Sequence, residues 1–501
     1  MTVNNAEGAG FRHLLRAEWT KFRTSRSGVI GILVAGLVTV LLGLFSASGS
    51  HASCGGPNDI CPEVPLGPGG QAVTDKFYFV HRPLVGDGSI TARVTSLTGL
   101  ITYPPPNHDQ IVPGVVPWAK AGVIVKESTR QGSAYASVML TGHHGVRMQY
   151  NFTADTPGRP GDVAADSPRW LRLTRAGETL TGYESTDGTQ WTAVASVQLT
   201  GLPAMVQVGL FVTSPCDLTV EQGPGGGTQC RFTQATVVFD QVSLQGVTPG
   251  DGWAEDDIGV TLDGGQPFHP GGVEEAGGTF TVTGNGDIAP AVADGMTIED
   301  TLTGAVAGLI VVIVVAVMWM TAEYRRGVVS PPRLAAKAIV VGTVTFLVGL
   351  AAAVVAVQLG SHTLRANGMY ILPVTVLTEL RVVVGTAALL AVAAVFALAV
   401  GALFRRTIPA VIMALALIVL PYTLAIAPFL PVATSNWLLR LTPAAGFAIQ
   451  QSLPEYPQMT NFYAPQTGYY PLSPWAGFAV LCGYTALALG LAVLLQRRRN
   501  A

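Results

Sequence analysis

The residues with chemistry to offer are few and fall into groups. Glu323-Tyr324-Arg325-Arg326-Gly327 closes a run, 303–322, that carries no charge at all. Charges placed there can stop an apolar helix at a membrane surface. They can equally offer rigid polar contacts to a soluble partner, and cations suit a helix C-terminus. The acidic clusters are Glu255-Asp256-Asp257, Glu274-Glu275 and Glu299-Asp300. Glycoside hydrolysis needs two carboxylates facing one sugar ring, about 5–9.5 Å apart. All three clusters lie in Gly-rich connectors and read as solvated loop charge, and no strand carries a Glu-x-Asp-x-x-Glu run. His143-His144 lacks a third ligand and reads as a polar turn rather than a metal site. Tyr103, Trp118 and Trp170 have faces on which a sugar stacks, although buried aromatics are the commoner case in a sandwich. Asn151-Phe152-Thr153 has the form of a glycosylation acceptor. No G-x-x-x-x-G-K-[ST] loop occurs, so the chain does not bind ATP by that route. We expect no catalytic group, no metal and no cofactor.

Composition indicates what has to position these residues. Of 501 residues, 49% are hydrophobic and 12% charged, about half the charged fraction usual in soluble domains. The net charge of -2 conceals a split. Residues 48–302 hold 26 Asp/Glu and 12 Lys/Arg, whereas the remainder holds 5 acids and 17 bases. That asymmetry fits one acidic, water-exposed domain joined to a membrane part with basic edges. An acidic soluble surface also argues against nucleic acid as a partner.

Six runs are apolar enough to cross a bilayer core of about 30 Å: 28–47, 303–322, 338–360, 382–404, 407–430 and 475–495. The first exceeds the usual signal-peptide core and is read as a retained anchor. None of these runs contains Asp, Glu, Lys, Arg or His, which removes the usual proton or sodium relay of secondary transporters. Lys and Arg number 14 at the proposed inner edges against 3 (Arg365, Arg381, Arg440) in the short outer loops. The positive-inside rule then puts both termini in the cytoplasm and residues 48–302 outside. Ahead of the first span, within 1–27, Phe11, Leu14, Leu15, Trp19 and Phe22 recur at helical spacing among Arg12, Arg16, Lys21, Arg23 and Arg26. Such a helix lies in the headgroup region or is simply a basic juxtamembrane segment. The loop 431–474 mixes apolar and aromatic residues and reads as a re-entrant or interfacial hairpin, or as a plain exposed loop.

Between the first two spans the chain turns to short alternating strands rich in Gly, Pro and Thr, the pattern of an antiparallel sandwich. The segments are 89–97, 119–127, 133–141, 145–152, 169–175, 178–186, 190–199, 206–214 and 233–244, with Asp187-Gly188 as a hairpin turn. Residues 247–300 read as a connector with one further strand pair at 277–290. Cys54, Cys61, Cys216 and Cys230 fall in this region, which suggests two disulfides, most simply Cys54–Cys61 and Cys216–Cys230, with metal binding as the alternative.

The blocks FYFVHRPLVGDGSITARVTSL, PWAKAGVIVKES, SAYASVML, RWLRLTRAGETLTGYESTDGTQWT and VQVGLFVTS resemble the concanavalin A-like lectin/glucanase sandwich, over about 75–244. That resemblance implies a jelly-roll of two packed sheets, with an extracellular glycan as a possible ligand. In the remainder, RAEWTKFRTSRSG, AEYRRG, LAAKAIVVG and NWLLRLTPAAGFAI around the spans resemble a type-2 ABC exporter permease. The family resemblance implies that Glu323, Tyr324, Arg325, Arg326 and Gly327 dock on a separate ATPase subunit. It also implies an interfacial helix bearing Phe11, Leu15, Trp19 and Phe22, and a homodimer or a heterodimer with a similar permease. One departure stands out: the family's longer basic helix after EYRRG is replaced by Val328–Arg333, in which Pro331-Pro332 breaks any helix.

The expected architecture is therefore an α-helical polytopic membrane protein of six transmembrane helices. An extracytoplasmic all-β, jelly-roll-like sandwich is inserted between the first two. The expected function is the permease subunit of an ABC transporter in the cell membrane. The competing expectation is a membrane-anchored glycan-binding or sensor protein.

Overall fold

A computed structural model of the chain describes residues 3–52, 64–162, 167–220, 228–246, 252–263, 266–268, 270–292, 295–324, 327, 330–427 and 429–500. Its helices are α1 (Val3–Thr24), α2 (Arg26–Gly49), α3 (Ala305–Tyr324), α4 (Pro331–Ala366), α5 (Val376–Phe404), α6 (Thr407–Ile426), α7 (Val432–Leu441) and α8 (Pro474–Asn500). All but α1 and α7 are long and apolar enough to cross a membrane. They pack around α3 and α5, whose Leu309, Ile313, Val317, Ala394 and Leu398 are fully buried. Close approach of α2 to α3 depends on small residues: a Cβ at Gly304 or Gly308 would collide with Thr39 of α2. Such contacts suit helices in lipid, where backbone proximity replaces the hydrophobic drive.

The inserted region is a two-sheet antiparallel sandwich. One sheet runs, edge to edge, through Ala254–Ile258, Phe77–Val85, Met205–Thr213, Lys120–Lys126, Tyr135–Thr141, Val146–Tyr150 and Ala154–Pro157. The other runs through Thr192–Gln198, Thr179–Ser185, Arg169–Ala176, Gly88–Thr102, Thr233–Gln245, Thr279–Gly284 and Gly272–Ala276, with Ile111–Pro113 beside Gly88–Thr102. Inward residues of both sheets form the core, among them Val123, Val138, Leu140, Leu171, Leu173, Leu210, Val237 and Phe239. All nine strand segments expected from alternation are present, and Asp187-Gly188 does turn a hairpin, with Gly188 at φ +73°. The connector is the difference. Residues 254–258 add an edge strand to one sheet, 279–284 and 272–276 extend the other with 272–276 at its edge, and Ile288–Pro290 pairs with Val73–Asp75. The sandwich region thus spans 73–290. Glu255-Asp256-Asp257 is not loop charge but lies on an edge strand, with Asp256 2.8 Å from His81 Nε2 and Glu255 accepting the Tyr78 hydroxyl at 3.0 Å. Glu274-Glu275 is on the other sheet's edge strand and is exposed.

Lys120–Lys126 is buried on both faces. Its core-facing residues are Ala121, Val123 and Val125. Ile124 joins Phe77, Phe79, Tyr135, Phe211 and Ile288 in a second cluster, covered by the domain's own two ends. Two buried lysines tie those ends down. Lys126 Nζ lies 2.6 Å from Asp75 Oδ2, and Lys120 Nζ lies 2.6 Å from Asp287 Oδ1. Asp75 and Asp287 belong to the incoming and outgoing segments, so the pairs close the domain where it joins the helices. A buried pair gains little net energy, but removing one partner strands the other charge. Replacing Lys126 by Met is expected to cost about 3–5 kcal/mol, read as a lower thermal midpoint of the full chain in detergent. Adding Asp75→Asn to that variant should recover part of the loss.

The Cys216–Cys230 disulfide is formed, at the base of the pair Asp217–Val220 and Thr228–Arg231. Cys54 and Cys61 lie outside the described residues. The loop after α6 is neither a plain exposed loop nor a single hairpin. It holds α7, then a 3-10 segment Pro443–Gln450 that is wholly buried against α5 and α8. It then continues into a stretch packed on the sandwich, where Gln458 Nε2 donates to Thr153 O at 2.8 Å.

Candidate functional site

Helices α1 and α2 meet at Ser25, whose backbone is extended and whose Oγ accepts the Gly28 N–H at 3.3 Å as an N-cap. The break turns α1 across the ends of α3 and α4. Its inward stripe is Leu15, Glu18 and Phe22: half-buried Leu15 packs on the helical core, and buried Phe22 makes an edge-on contact with Trp319, centroids 5.3 Å apart. Phe11 is half-buried, whereas Trp19 is exposed. The helix turns one face inward and leaves its basic residues exposed, and the inward face includes a carboxylate. Glu18 is 2% exposed.

What meets Glu18 is Lys337, buried on the first turns of α4. Its Nζ lies 3.0 Å from Glu18 Oε2 and 3.1 Å from Glu323 Oε2, and 4.0 Å from the centre of the Trp319 ring. The two carboxylate contacts are ion-pair approaches rather than well-aimed hydrogen bonds. Lys21 completes the arrangement from the outside, 3.3 Å from Glu18 Oε1 and 3.0 Å from Glu323 Oε1. Burial weighs against the Lys21 charge, but Glu323 and Glu18 outweigh it and hold its pKa above the ordinary lysine value. Two lysines and two glutamates from three helices thus neutralise one another in one knot.

The last turn of α3 also reaches the other elements at this edge. Tyr324 Oη accepts Gln496 Nε2 of α8 at 2.8 Å, and the Arg405 guanidinium at the α5–α6 turn sits 4.9 Å above the Tyr324 ring. Thr321 Oγ1 is 2.7 Å from Thr407 Oγ1 of α6. Of the five residues singled out in 323–327, Glu323 and Tyr324 are therefore internal connectors, and Gly327 is exposed at φ +149°. Arg325 and Arg326 lie outside the described residues. Beside the knot, between the α1–α2 elbow and α3, is a cleft of about 430 Å³. Pro331 and Pro332, expected to break any helix, start α4, where a missing N–H costs nothing.

Sequence reasoning missed Glu18 and Lys337. The available signal was one acid at the i+3 position from Leu15 and i−4 from Phe22 in a basic helix, and one lysine flanked by alanines. The sugar-stacking candidates are scattered. Trp118 is buried with His144 stacked on it at 4.0 Å, Tyr103 is exposed, and Trp170 has the Arg93 guanidinium 5.6 Å from its ring. No group of three or more metal-ligating side chains occurs among the described residues.

No known family and no curated protein matches the sequence. Among solved structures, the chain has similarity to scytalido-glutamic peptidase with a transition state analog inhibitor (TM-score 0.25, 10% identity, 42% of this chain and 98% of that one). It has similarity to a functionally unknown protein from Saccharomyces cerevisiae (0.22, 13%, 40% and 86%). A third is sheep galectin-11 in complex with glycerol (0.16, 10%, 26% and 90%). Likeness at these scores carries no argument about what this chain does.

Replacing Lys337 by Met leaves Glu18 and Glu323 facing each other with only Lys21 between them. A stability loss of about 3–5 kcal/mol is expected, with faster trypsin cleavage at Arg16 and Lys21 as α1 comes away. Combining it with Glu18→Gln should restore much of both. A single variant that melts and cleaves like the parent would show that the knot does not hold α1.

Proposed function

We propose that the chain is the membrane subunit of an ABC transporter of the type-2 exporter class, driven by a separate cytoplasmic ATPase. The observation that carries this reading is the convergence of α1, α4, α6, α8 and the α5–α6 turn on the last turn of α3, beside the charged block 323–327. A soluble motor pressing on that block would act on every one of these elements at once. The wholly uncharged runs inside the spans leave the chain without its own ion-driven relay, so the energy has to come from a partner. The 14 to 3 excess of Lys and Arg at that edge argues that it faces the cytoplasm. The Cys216–Cys230 bond suits a sandwich on the outer, oxidising side. A working unit would pair two such chains, or this chain with a similar one, to enclose a path. The sandwich, of the concanavalin A-like type on this reading, would meet glycan or gate the outer end.

The test is copurification of the chain, in detergent, from cells that express its neighbouring genes. An ATPase subunit should come down with the parent chain and be lost from the Arg325→Glu, Arg326→Glu variant. Full retention of the ATPase by the charge-reversed chain would overturn the coupling assignment. Absence of any ATPase from the parent would favour an anchored glycan-binding or sensor protein.

A further inference from the structure

Where the sandwich meets the helices there is a cavity of about 480 Å³. It is lined by the 3-10 turn Ile298–Leu302, by Tyr422 of α6, and by Phe462, Tyr463 and Tyr470 of the α7–α8 connection. Leu218 and Thr228, on the paired strands stapled by Cys216–Cys230, complete the lining from the sandwich. Glu299 and Asp300 face this space, and among the described residues no Lys, Arg or His lines it. The pair was expected to be solvated loop charge. It lies instead half-buried at the junction of sandwich and helices.

The two carboxylates are held in place. Glu299 Oε1 accepts the Ser452 N–H at 2.9 Å and Oε2 accepts the Ser452 hydroxyl. Asp300 Oδ2 accepts both the N–H and the hydroxyl of Thr297, at 2.7 and 2.9 Å, which caps the turn. Gln466 Oε1, in the same lining, is buried with no hydrogen-bond partner among the described residues. Arg381 of α5 acts on Glu299 from a neighbouring cavity, which it lines with Gln451 and Ser452, and it is occupied with Gln451 O. The cavity therefore combines unpaired negative charge, a buried free acceptor and several aromatic faces. Its volume lies within the range of about 300–1,000 Å³ typical of small-molecule sites.

We propose that this cavity binds an organic cation, a hydrophobic ammonium or other onium compound. Its charge would lie beside Glu299 and Asp300, and its apolar body against Tyr422, Phe462 and Tyr463. Aromatic rings attract such cations through their quadrupole, and more strongly once water is excluded. An anion would meet two carboxylates, and a bare metal ion would leave most of the volume and the aromatic wall unused. The inference concerns binding alone and does not rest on an ATPase partner.

The pH dependence follows in sign. Burial, opposed by the Ser452 hydrogen bonds, pushes the Glu299 carboxyl up to about 7, and burial raises Asp300 as well. Among the described residues, Asp300, Arg381, Tyr422 and Tyr470 are charged or titratable groups that act on Glu299, and Tyr463 and Tyr469 share its cavity. An empty site thus favours protonated Glu299 below neutrality, whereas a bound cation favours the carboxylate. Cation affinity should rise from pH 5 to pH 8.

The experiment measures tetraphenylphosphonium binding to the full chain in zwitterionic nanodiscs by equilibrium dialysis, with empty discs subtracted. Saturable binding is expected at pH 8, weaker by about tenfold or more in Glu299→Gln and again at pH 5. The exposed Thr228→Lys variant puts a cation at the rim without touching either carboxylate. It should keep the parent's thermal midpoint and still bind more weakly. Tetraphenylborate, of the same shape and opposite charge, should not saturate. The proposal is overturned if the parent takes up no more cation than empty discs. It is also overturned if tetraphenylborate binds as well, or if a folded Thr228→Lys chain binds like the parent.

Discussion

The structure of the helical part depends on one buried ammonium. Lys337 has no exposed side-chain surface, and a lone charge of that kind would lose several kcal/mol of hydration. It is tolerable only because Glu18 and Glu323 approach within 3.1 Å and the Trp319 face lies beneath it. Each partner comes from a different helix, so the requirement to neutralise Lys337 dictates where α1 crosses and how far α3 extends. Lys21 then balances the second carboxylate from the surface. A purely apolar contact among these three helices would tolerate sliding by a turn. An ion knot does not, because a shifted register strands a charge.

From that knot, α3 runs as an unbroken helix to the other edge, and its far end is again held by polar groups. Gly304 and Gly308 admit Thr39 of α2, and the turn ahead of them carries the Thr297–Asp300 cap and the Glu299–Ser452 bonds. Asn367, after α4, donates from Nδ2 to Ala47 O and Ser50 O at the end of α2. The segment leaving the sandwich is bound to the same edge through Met296, whose N–H donates to Tyr370 O and whose carbonyl accepts from Leu372 N. Within the sandwich, Lys120 and Lys126 tie down the segments that lead in and out. The chain from core strand to basic edge is thus a succession of short polar locks joined by stiff elements, with α3 as the common member.

What could be read in the sequence followed periodicity and charge exclusion. The strand at 169–175 alternates because one face meets the partner sheet, and the spans announce themselves by the lack of any charge. Lys120 and Lys126 were visible as residues of a strand but not as buried ones, because their partners, Asp287 and Asp75, are 167 and 51 positions away. Glu18, Lys337 and Glu299 were hidden for the same reason. A single charge beside an apolar run looks like a solvated edge, and only tertiary contact distinguishes it from a buried partner. The edge strands 254–258 and 272–276 were read as connector because rows of Asp and Glu are poor strand formers. Edge strands tolerate them, since one side is unpaired and faces water.

Pro331-Pro332 shows how a correct local inference can miss its consequence. Two prolines disfavour continuation of α3 into a longer basic helix, and the described part of α3 runs to Tyr324. Their fixed φ and missing N–H groups are also suited to a helix's first turn, so α4 begins at Pro331 with Ser330 as its N-cap residue. Lys337 is consequently the seventh residue of α4, far enough in to be buried and near enough to the start to reach Glu323 on the preceding helix. A longer connection would loosen the relation between the two helix ends and make the buried charge harder to satisfy. The short, proline-started turn and the buried lysine are therefore parts of one constraint, and changing the first should be felt at the second.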